Sequence, residues 1–273
     1  MAAVPIVVGS SLAWAGGAVP HWMTFAATLL CAVLIQVGTN LFNDANDGER
    51  GADGPDRLGP TRITGSGLAQ PRQVRRGAIA CFVAALAMGV YLVVVGGAPI
   101  LLIGIASLVA GYAYSSGPKP LSHGPFGEVY VIVFFGLIAV AGSYYLQSAN
   151  LPGSAVALTG IAVGCYAAAV LLVNNLRDTE ADLRAGRRTL ASRLGVRGSR
   201  TLYGLLMLAP FPLLAVALGV EAIGLVWLGL PVCLWLALHF TRMPVGPRMN
   251  AQLGKTALVQ VLVGALLVAE RLA

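Results

Sequence analysis

The sequence predicts an all-α, polytopic membrane protein of nine transmembrane helices. Three observations predict it. Hydrophobic residues make up 57% of the 273 residues and charged residues only 11%, whereas an average soluble domain is about 25% charged. A soluble globule of this size would lack the charges to cover its surface, and a disordered chain would not carry so much apolar surface. Apolar runs of membrane-spanning length, about 20 residues for a hydrocarbon core of about 30 Å, recur from end to end. The cations fall almost entirely in alternate loops.

The runs lie at 2–17, 22–43, 77–96, 98–115, 127–148, 154–176, 201–219, 221–241 and 254–271. The first, MAAVPIVVGSSLAWAG, has no basic segment before it and no small-residue cleavage site, so it reads as a membrane helix and not as a cleaved signal. The stretch 77–115 is long enough for two spans. It divides at Gly96-Gly97-Ala98-Pro99, because proline lacks a backbone donor and disfavours helix in the residue before it. The 34 glycines are scattered through the apolar segments, where they let helices approach closely. Cys31, Cys81, Cys165 and Cys233 each sit inside an apolar run, outside any paired motif, and read as small packing residues with neither disulfide nor zinc. The whole chain, 1–273, reads as a single membrane domain.

With nine spans, 17 of the 18 cations fall in the loops 44–76, 116–126, 177–200 and 242–255, all on one side, and Arg271 alone on the other. Positive charge marks the cytoplasmic side, and the expected location is the cell inner (cytoplasmic) membrane with the site on the cytoplasmic side. One missed helix would scatter these charges over both faces. Nine of the eleven acids lie in or beside the same loops. Binding to a lipid surface needs only lysine and arginine, so mixed acids and bases at helix ends point to a site for a metal and an anion. The net charge of +7 is therefore a topology signal. No aromatic-basic groove accompanies it, and no nucleic-acid partner is expected.

Two acidic constellations stand out. If helix continues through the end of the second span, Asn40, Asp44 and Asp47 share one face at i, i+4 and i+7. At the end of the sixth, Asn174, Asp178 and Asp182 do so at i, i+4 and i+8. Both close an even-numbered span on the charged side, four helices apart, as in a chain of two related four-helix halves plus a ninth helix. Carboxylate oxygens suit Mg²⁺, which is usually held by one or two carboxylates plus substrate phosphates. Two facing carboxylate sets could hold Mg²⁺ around a diphosphate and stabilise pyrophosphate as it leaves. Arg57, Arg62, Arg187 and Arg188 would neutralise the remaining phosphate charge. A helix-end site at the membrane surface suits a substrate with a polar head and an apolar tail.

These residues resemble the UbiA-type intramembrane aromatic prenyltransferases, and within them the 1,4-dihydroxy-2-naphthoate branch of menaquinone biosynthesis. The resemblance is carried by Asn40-x2-Asn43-Asp44-x2-Asp47 with Asp53, by Asp56-Arg57-Leu58-Gly59-Pro60-Thr61-Arg62, and by Gly127-Glu128 followed by Val133-Phe134-Phe135-Gly136. It continues through Gly142-Ser143-Tyr144-Tyr145-Leu146-Gln147 to Asn174-Asn175-Leu176-Arg177-Asp178-x3-Asp182 and Thr189-Leu190-x2-Arg193-Leu194-Gly195. It implies nine helices around a lipid-accessible central cavity capped by the two acidic motifs, with Mg²⁺, a polyprenyl diphosphate donor and a dihydroxynaphthoate acceptor. It implies that diphosphate leaves, an allylic cation forms, and the acceptor ring attacks it and loses its carboxylate. Carried over by position, Asp44, Asp47, Asp178 and Asp182 are metal-diphosphate ligands, with Asp53 a further candidate. Asn40 and Asn174 add hydrogen bonds there, and Arg62 binds phosphate.

The chain departs from the branch at two places. After the fourth span the branch carries a basic residue and then Pro-Tyr-Gly-Tyr, whereas this chain reads Lys119-Pro120-Leu121-Ser122-His123-Gly124. That opens the acceptor to 4-hydroxybenzoate or homogentisate as alternatives. Lys119 is the candidate for an acceptor carboxylate and His123 for acid-base work near neutral pH. The chain also begins inside the first helix, where the branch has a basic segment, which leaves room for an earlier start codon. Tyr112, Tyr114, Tyr144 and Tyr145 are candidates for an aromatic cavity wall that stabilises a cation. Glu128 suits a helix start by charge alone. A CDP-alcohol transferase would place its second acidic pair within about thirty residues of Asp44-x2-Asp47-Gly48, not four helices later. A transporter with acidic gates would carry charges near the bilayer midplane, where this sequence has none.

Overall fold

The computed structural model describes residues 1–49, 58–115 and 120–273. Among them every regular element is helical. The helices are α1 (Ala3–Ala15), α2 (Trp22–Glu49), α3 (Pro71–Ser115), α4 (Gly127–Ile132), α5 (Ala139–Ser148), α6 (Ser154–Arg177), α7 (Thr179–Arg184), α8 (Leu190–Leu208), α9 (Pro210–Leu218), α10 (Leu230–Arg242) and α11 (Met249–Leu272). A π-helical turn at Val133–Ile138 joins α4 to α5. Seven of the resulting rods are long and apolar enough to cross a membrane.

One of the seven crosses twice. At about 1.5 Å per residue α3 would be about 68 Å long if straight, more than twice a hydrocarbon core of about 30 Å. It breaks at Gly97, whose φ of 65° and ψ of −152° lie outside the helical region and suit a residue without Cβ. Pro99 follows within the next turn. The Gly96 carbonyl beside the break accepts a hydrogen bond from Tyr145 Oη at 3.1 Å. Counting both arms of α3 gives eight segments of crossing length among the described residues; α1 is apolar but at 13 residues is only about 20 Å long, so the predicted count of nine holds approximately.

Several helices extend past the apolar runs by polar turns. α2 continues to Glu49 rather than stopping near 43, and α3 starts at Pro71 rather than 77. Pro71 occupies a first-turn position, where its missing N–H costs nothing, and the Gln73 side chain accepts from the Gln70 N–H at 2.9 Å. α8 starts at Leu190 rather than 201, capped by Thr189, whose hydroxyl oxygen accepts from Ser192 N–H. These turns lie outside the hydrocarbon, so hydropathy does not register them.

α6 is the hub. Buried positions make up 78% of its most apolar stretch, against 11% for α2. Its small residues let the π-turn segment lie against its backbone. A Cβ on Gly136 would sit 2.4 Å from the Gly160 carbonyl oxygen and 2.7 Å from Gly164 Cα. α1 and α5 meet in the same way: a Cβ on Gly9 would sit 2.3 Å from the Val140 carbonyl oxygen. In lipid, where apolar side chains gain little by leaving the solvent, such backbone proximity is a main source of association.

The two ends of the bundle are distinct. At one end Gln147 Oε1 accepts from Trp14 Nε1 at 2.9 Å and from His21 N–H at 3.0 Å. At the other, all four cation-rich loops meet. Asn250 Nδ2 donates to the Leu58 carbonyl at 2.8 Å, Arg188 N–H donates to the His123 carbonyl at 2.9 Å, and Arg187 pairs with Asp47. Grouping 58–70 with 120–126 at one end requires α3 to go out and return, which its break allows. The four cysteines are free thiols.

Candidate active site

The first acidic motif stands on the last two turns of α2. Asp44 is buried and accepts from Ile63 N–H at 3.0 Å, from Thr64 N–H at 3.1 Å and from the Thr64 hydroxyl. That hydroxyl also lies 3.0 Å from the Asp44 carbonyl. Asp44 therefore folds the chain after the motif back over the helix end. Gly48 permits the approach, since a Cβ there would lie 2.6 Å from Thr64 Oγ1. Asp47, one turn on and also buried, pairs with Arg62 at 2.8 Å and with Arg187 from the far side of the sequence. Asn40, a turn before Asp44, is exposed.

The second motif corrects one expectation. Asn174, Asp178 and Asp182 do not stand on one continuous helix. α6 ends at Arg177, and Asp178, with φ −95° and ψ 8°, leads into the short α7 that carries Asp182. The cause is local: the Thr179 hydroxyl donates back to the Asn175 and Leu176 carbonyls at 2.9 and 3.0 Å, a bonding pattern that bends helices. The register survives the bend, since Asp178 N–H bonds the Asn174 carbonyl and Asp182 N–H the Asp178 carbonyl.

Arg177, which sequence reasoning passed over, organises this motif. Its side chain is 1% exposed and holds Asp178 with two bonds, Nε to Oδ1 at 2.7 Å and Nη2 to Oδ2 at 2.6 Å. Nη2 also donates to Asn174 Oδ1 at 2.8 Å, and Nη1 to Asn250 Oδ1 at 2.6 Å. Since Asn250 also bonds Leu58, α6, α11 and the loop after the first motif are tied through two side chains. Arg177 was legible as the cation inside the motif. Asn250, from the last helix, had no local signal.

The two motifs meet at Arg187. Its Nη2 pairs with Asp47 and its Nη1 lies 3.7 Å from Asp182. One guanidinium thus touches both acidic sets, which lie at the same mouth of the bundle. Burial pushes the Asp182 carboxyl up to about 6. The Arg187 charge opposes this, while the Asp178 and Asp47 charges add to it. Arg187 Nε is buried without a hydrogen-bond partner, a donor left for an anion.

The other candidates are spread more widely. Arg188 is exposed and joins the site through its backbone, and His123 is partly buried in the turn Leu121–His123. Tyr114 ends α3 and faces Tyr130 at 5.2 Å between ring centres, and Tyr130 in turn stacks on Phe134 at 4.5 Å. Tyr145 is bound to Gly96 at the far end, away from the acids, and Tyr112 is exposed. Asp53, Arg57 and Lys119 lie outside the described residues.

Among the described residues no three carboxylate, thiol or imidazole side chains converge on one point. The aspartates stand as two facing sets with arginines between them. That arrangement still fits Mg²⁺, which commonly takes few carboxylates and completes its shell with substrate phosphates. Asp47 and Asp182 are the facing oxygen donors, and Arg187 already marks the space between them as one that needs positive charge.

Residues 2–249 match the UbiA prenyltransferase family. The chain belongs to that family. Curated relatives include 1,4-dihydroxy-2-naphthoate octaprenyltransferases. That of Mycobacterium tuberculosis is 38% identical over 76% of this chain and 70% of its own length. That of Mycobacterium leprae is 35% identical over 95% and 88%, and that of Escherichia coli 35% over 79% and 71%. Among solved structures, a UbiA homolog from Archaeoglobus fulgidus bound to GPP and Mg²⁺ superposes with a TM-score of 0.66. It covers 99% of this chain and 96% of that one, at 15% identity. An apo UbiA homolog from Aeropyrum pernix gives 0.69 at 13% identity, over 98% and 97%. At such identities these structures speak to the fold. The chain is a prenyltransferase of the UbiA family, built as a helical membrane protein.

Proposed function

We propose that this UbiA-family enzyme transfers a polyprenyl group from polyprenyl diphosphate to 1,4-dihydroxy-2-naphthoate, with loss of the acceptor's carboxylate. The reaction takes place at the cytoplasmic face of the inner membrane. The observation that carries this reading is the single guanidinium of Arg187 touching both acidic motifs. It brings the two carboxylate sets close enough to share one diphosphate, and the naphthoate enzymes among the relatives support the choice of acceptor.

Asp44 holds the 63–64 turn, and with it Arg62, over the mouth. Asp47 and Asp182 would hold Mg²⁺, with Asp178 fixed beside them by Arg177. Bound Mg²⁺ supplies a Lewis acid that draws electron density from the departing pyrophosphate. Arg62 and Arg187 would move from Asp47 onto phosphate oxygens, where forked donors suit the geometry. The tail would lie in a lipid-accessible cavity, alongside the partly open ring faces of Tyr114, Tyr130 and Phe134, and aromatic faces stabilise an allylic cation.

The test is an assay of purified protein in detergent, pairing several prenyl diphosphates with dihydroxynaphthoate, 4-hydroxybenzoate and homogentisate. Prenylated, decarboxylated product from the naphthoate, abolished by chelating Mg²⁺, is the expected result. Preference for another ring would reassign the acceptor. Pyrophosphate release unaffected by chelation would remove the metal from the mechanism.

A further inference from the structure

Glu128 is buried to 3% exposure at the start of α4, beside the site, and the roles derived above do not use it. Its Oε1 accepts from Asn175 Nδ2 at 2.9 Å. Its Oε2 is buried and has no hydrogen-bond partner. Asn175 lies between Asn174 and Arg177 on the last turn of α6, so the second motif itself holds this carboxylate. Tyr114 lies within Coulombic reach of both Glu128 and Asp182. Its hydroxyl lies 3.9 Å from where a Cβ on Gly127 would stand. Tyr114 also packs against Tyr130, which stacks on Phe134.

A helix start explains a carboxylate there. It does not explain why one oxygen is fixed by an amide while the other is withdrawn from water with nothing to accept from. An unpartnered buried acceptor is costly, and its natural complement is an O–H donor. We propose that Glu128 Oε2 accepts the hydrogen bond, and then the proton, of a phenolic hydroxyl on the aromatic acceptor. This rests on reading the chain as an aromatic prenyltransferase and names the general base of that reaction. As the ring attacks, the acceptor's O–H bond breaks and its proton passes to Oε2. The freed electron pair enters the ring as C=O forms, and the ring carbon bonds the allylic carbon. The allylic C–O bond breaks, its electron pair leaving on pyrophosphate. The carboxylate on the attacked ring carbon then leaves as CO₂, its bonding pair restores the aromatic ring as C=O becomes C–O⁻, and Glu128 returns its proton to that oxygen. Asn175 is a positioning residue that keeps the other oxygen occupied, so that Oε2 faces the acceptor.

The test uses the full-length protein with Glu128→Gln, which keeps volume and an oxygen for Asn175 but cannot take a proton, and Glu128→Asp, which keeps the base one methylene back. General-base catalysis contributes typically about 10² to 10⁴-fold, so kcat for prenyl transfer should fall by about 10²-fold or more in Glu128→Gln. Glu128→Asp should recover part of it. KM for the prenyl diphosphate should stay within about twofold of wild type, and that unchanged KM also shows the variant is folded. A dihydroxy acceptor with both hydroxyls methylated should be a poor substrate for wild type and variant alike. Wild-type transfer with Glu128→Gln at full kcat overturns the base assignment and leaves the prenyltransferase reading standing. A variant that loses donor affinity as much as turnover overturns it too, because Glu128 would then be structural. Wild type inactive toward every phenolic acceptor overturns both readings.

Discussion

Replacing Arg177 tests the buried anchor of the second motif. Arg177→Met removes two charge-assisted bonds to Asp178 and one each to Asn174 and Asn250, at a side chain 1% exposed. Removing one partner of a buried ion pair costs roughly 3–5 kcal/mol. Asp178 is 20% exposed and water can re-solvate it, so the lower end, about 3 kcal/mol, is expected. Arg177→Lys keeps the charge but lacks the fork, and should cost about half of that, since an ammonium cannot span both carboxylate oxygens and two amides. The catalytic effect should exceed the loss of stability. On the proposed reading Asp178, freed of its clamp, would turn away from the diphosphate, and a displacement of about 1 Å can cost about 10²-fold in rate. The assays are thermal unfolding in detergent and prenyl transfer at saturating donor. Arg177→Met with wild-type turnover and an unchanged unfolding temperature would refute the positioning role.

Three further outcomes are expected. Asp47→Asn should leave a folded protein that retains less than about 1% of wild-type transfer, since one carboxylate pairs with Arg62 and Arg187 and is proposed to hold the metal; product formation measured by chromatography decides it. Gly136→Val should lower stability by about 1–3 kcal/mol, read as a drop in unfolding temperature, because its Cβ would meet the Gly160 carbonyl at 2.4 Å. The third concerns pH. Asp182 is held up at about 6, above its ordinary value, so between about pH 4 and 6 the folded chain carries a proton there that the unfolded chain has lost. The metal-free protein should therefore lose stability as pH rises through that window, and Mg²⁺ affinity should weaken as pH falls through it. Unfolding in chelator and Mg²⁺ titration across pH 4–7 measure both, and Asp182→Asn should flatten the stability profile.

The helical membrane class and the common charged end of the spans were legible before any coordinates, because a bilayer rewards length and apolarity independently of what packs beside a span. The acidic aspartates were legible for a related reason: charges at the ends of apolar runs have few structural uses. Helix ends were less so. α3 begins at Pro71 and α8 at Leu190 because polar turns capped by Gln73 and Thr189 extend past the hydrocarbon, where hydropathy carries no information. The bend at Asp178 turned on one hydroxyl, that of Thr179, and a helical wheel cannot see it.

Composition and charge order by themselves determined the membrane class and the gathering of charged loops at one end, since each depends on the chain and its solvent alone. Only the folded bundle decided which of these groups touch. Arg187 reaches across 140 positions to Asp47, Asn250 joins the last helix to the loop after the first motif, and Asn175 donates to one oxygen of Glu128. Such contacts depend on how closely glycine-lined helices approach one another, and spacing along the chain does not encode that distance.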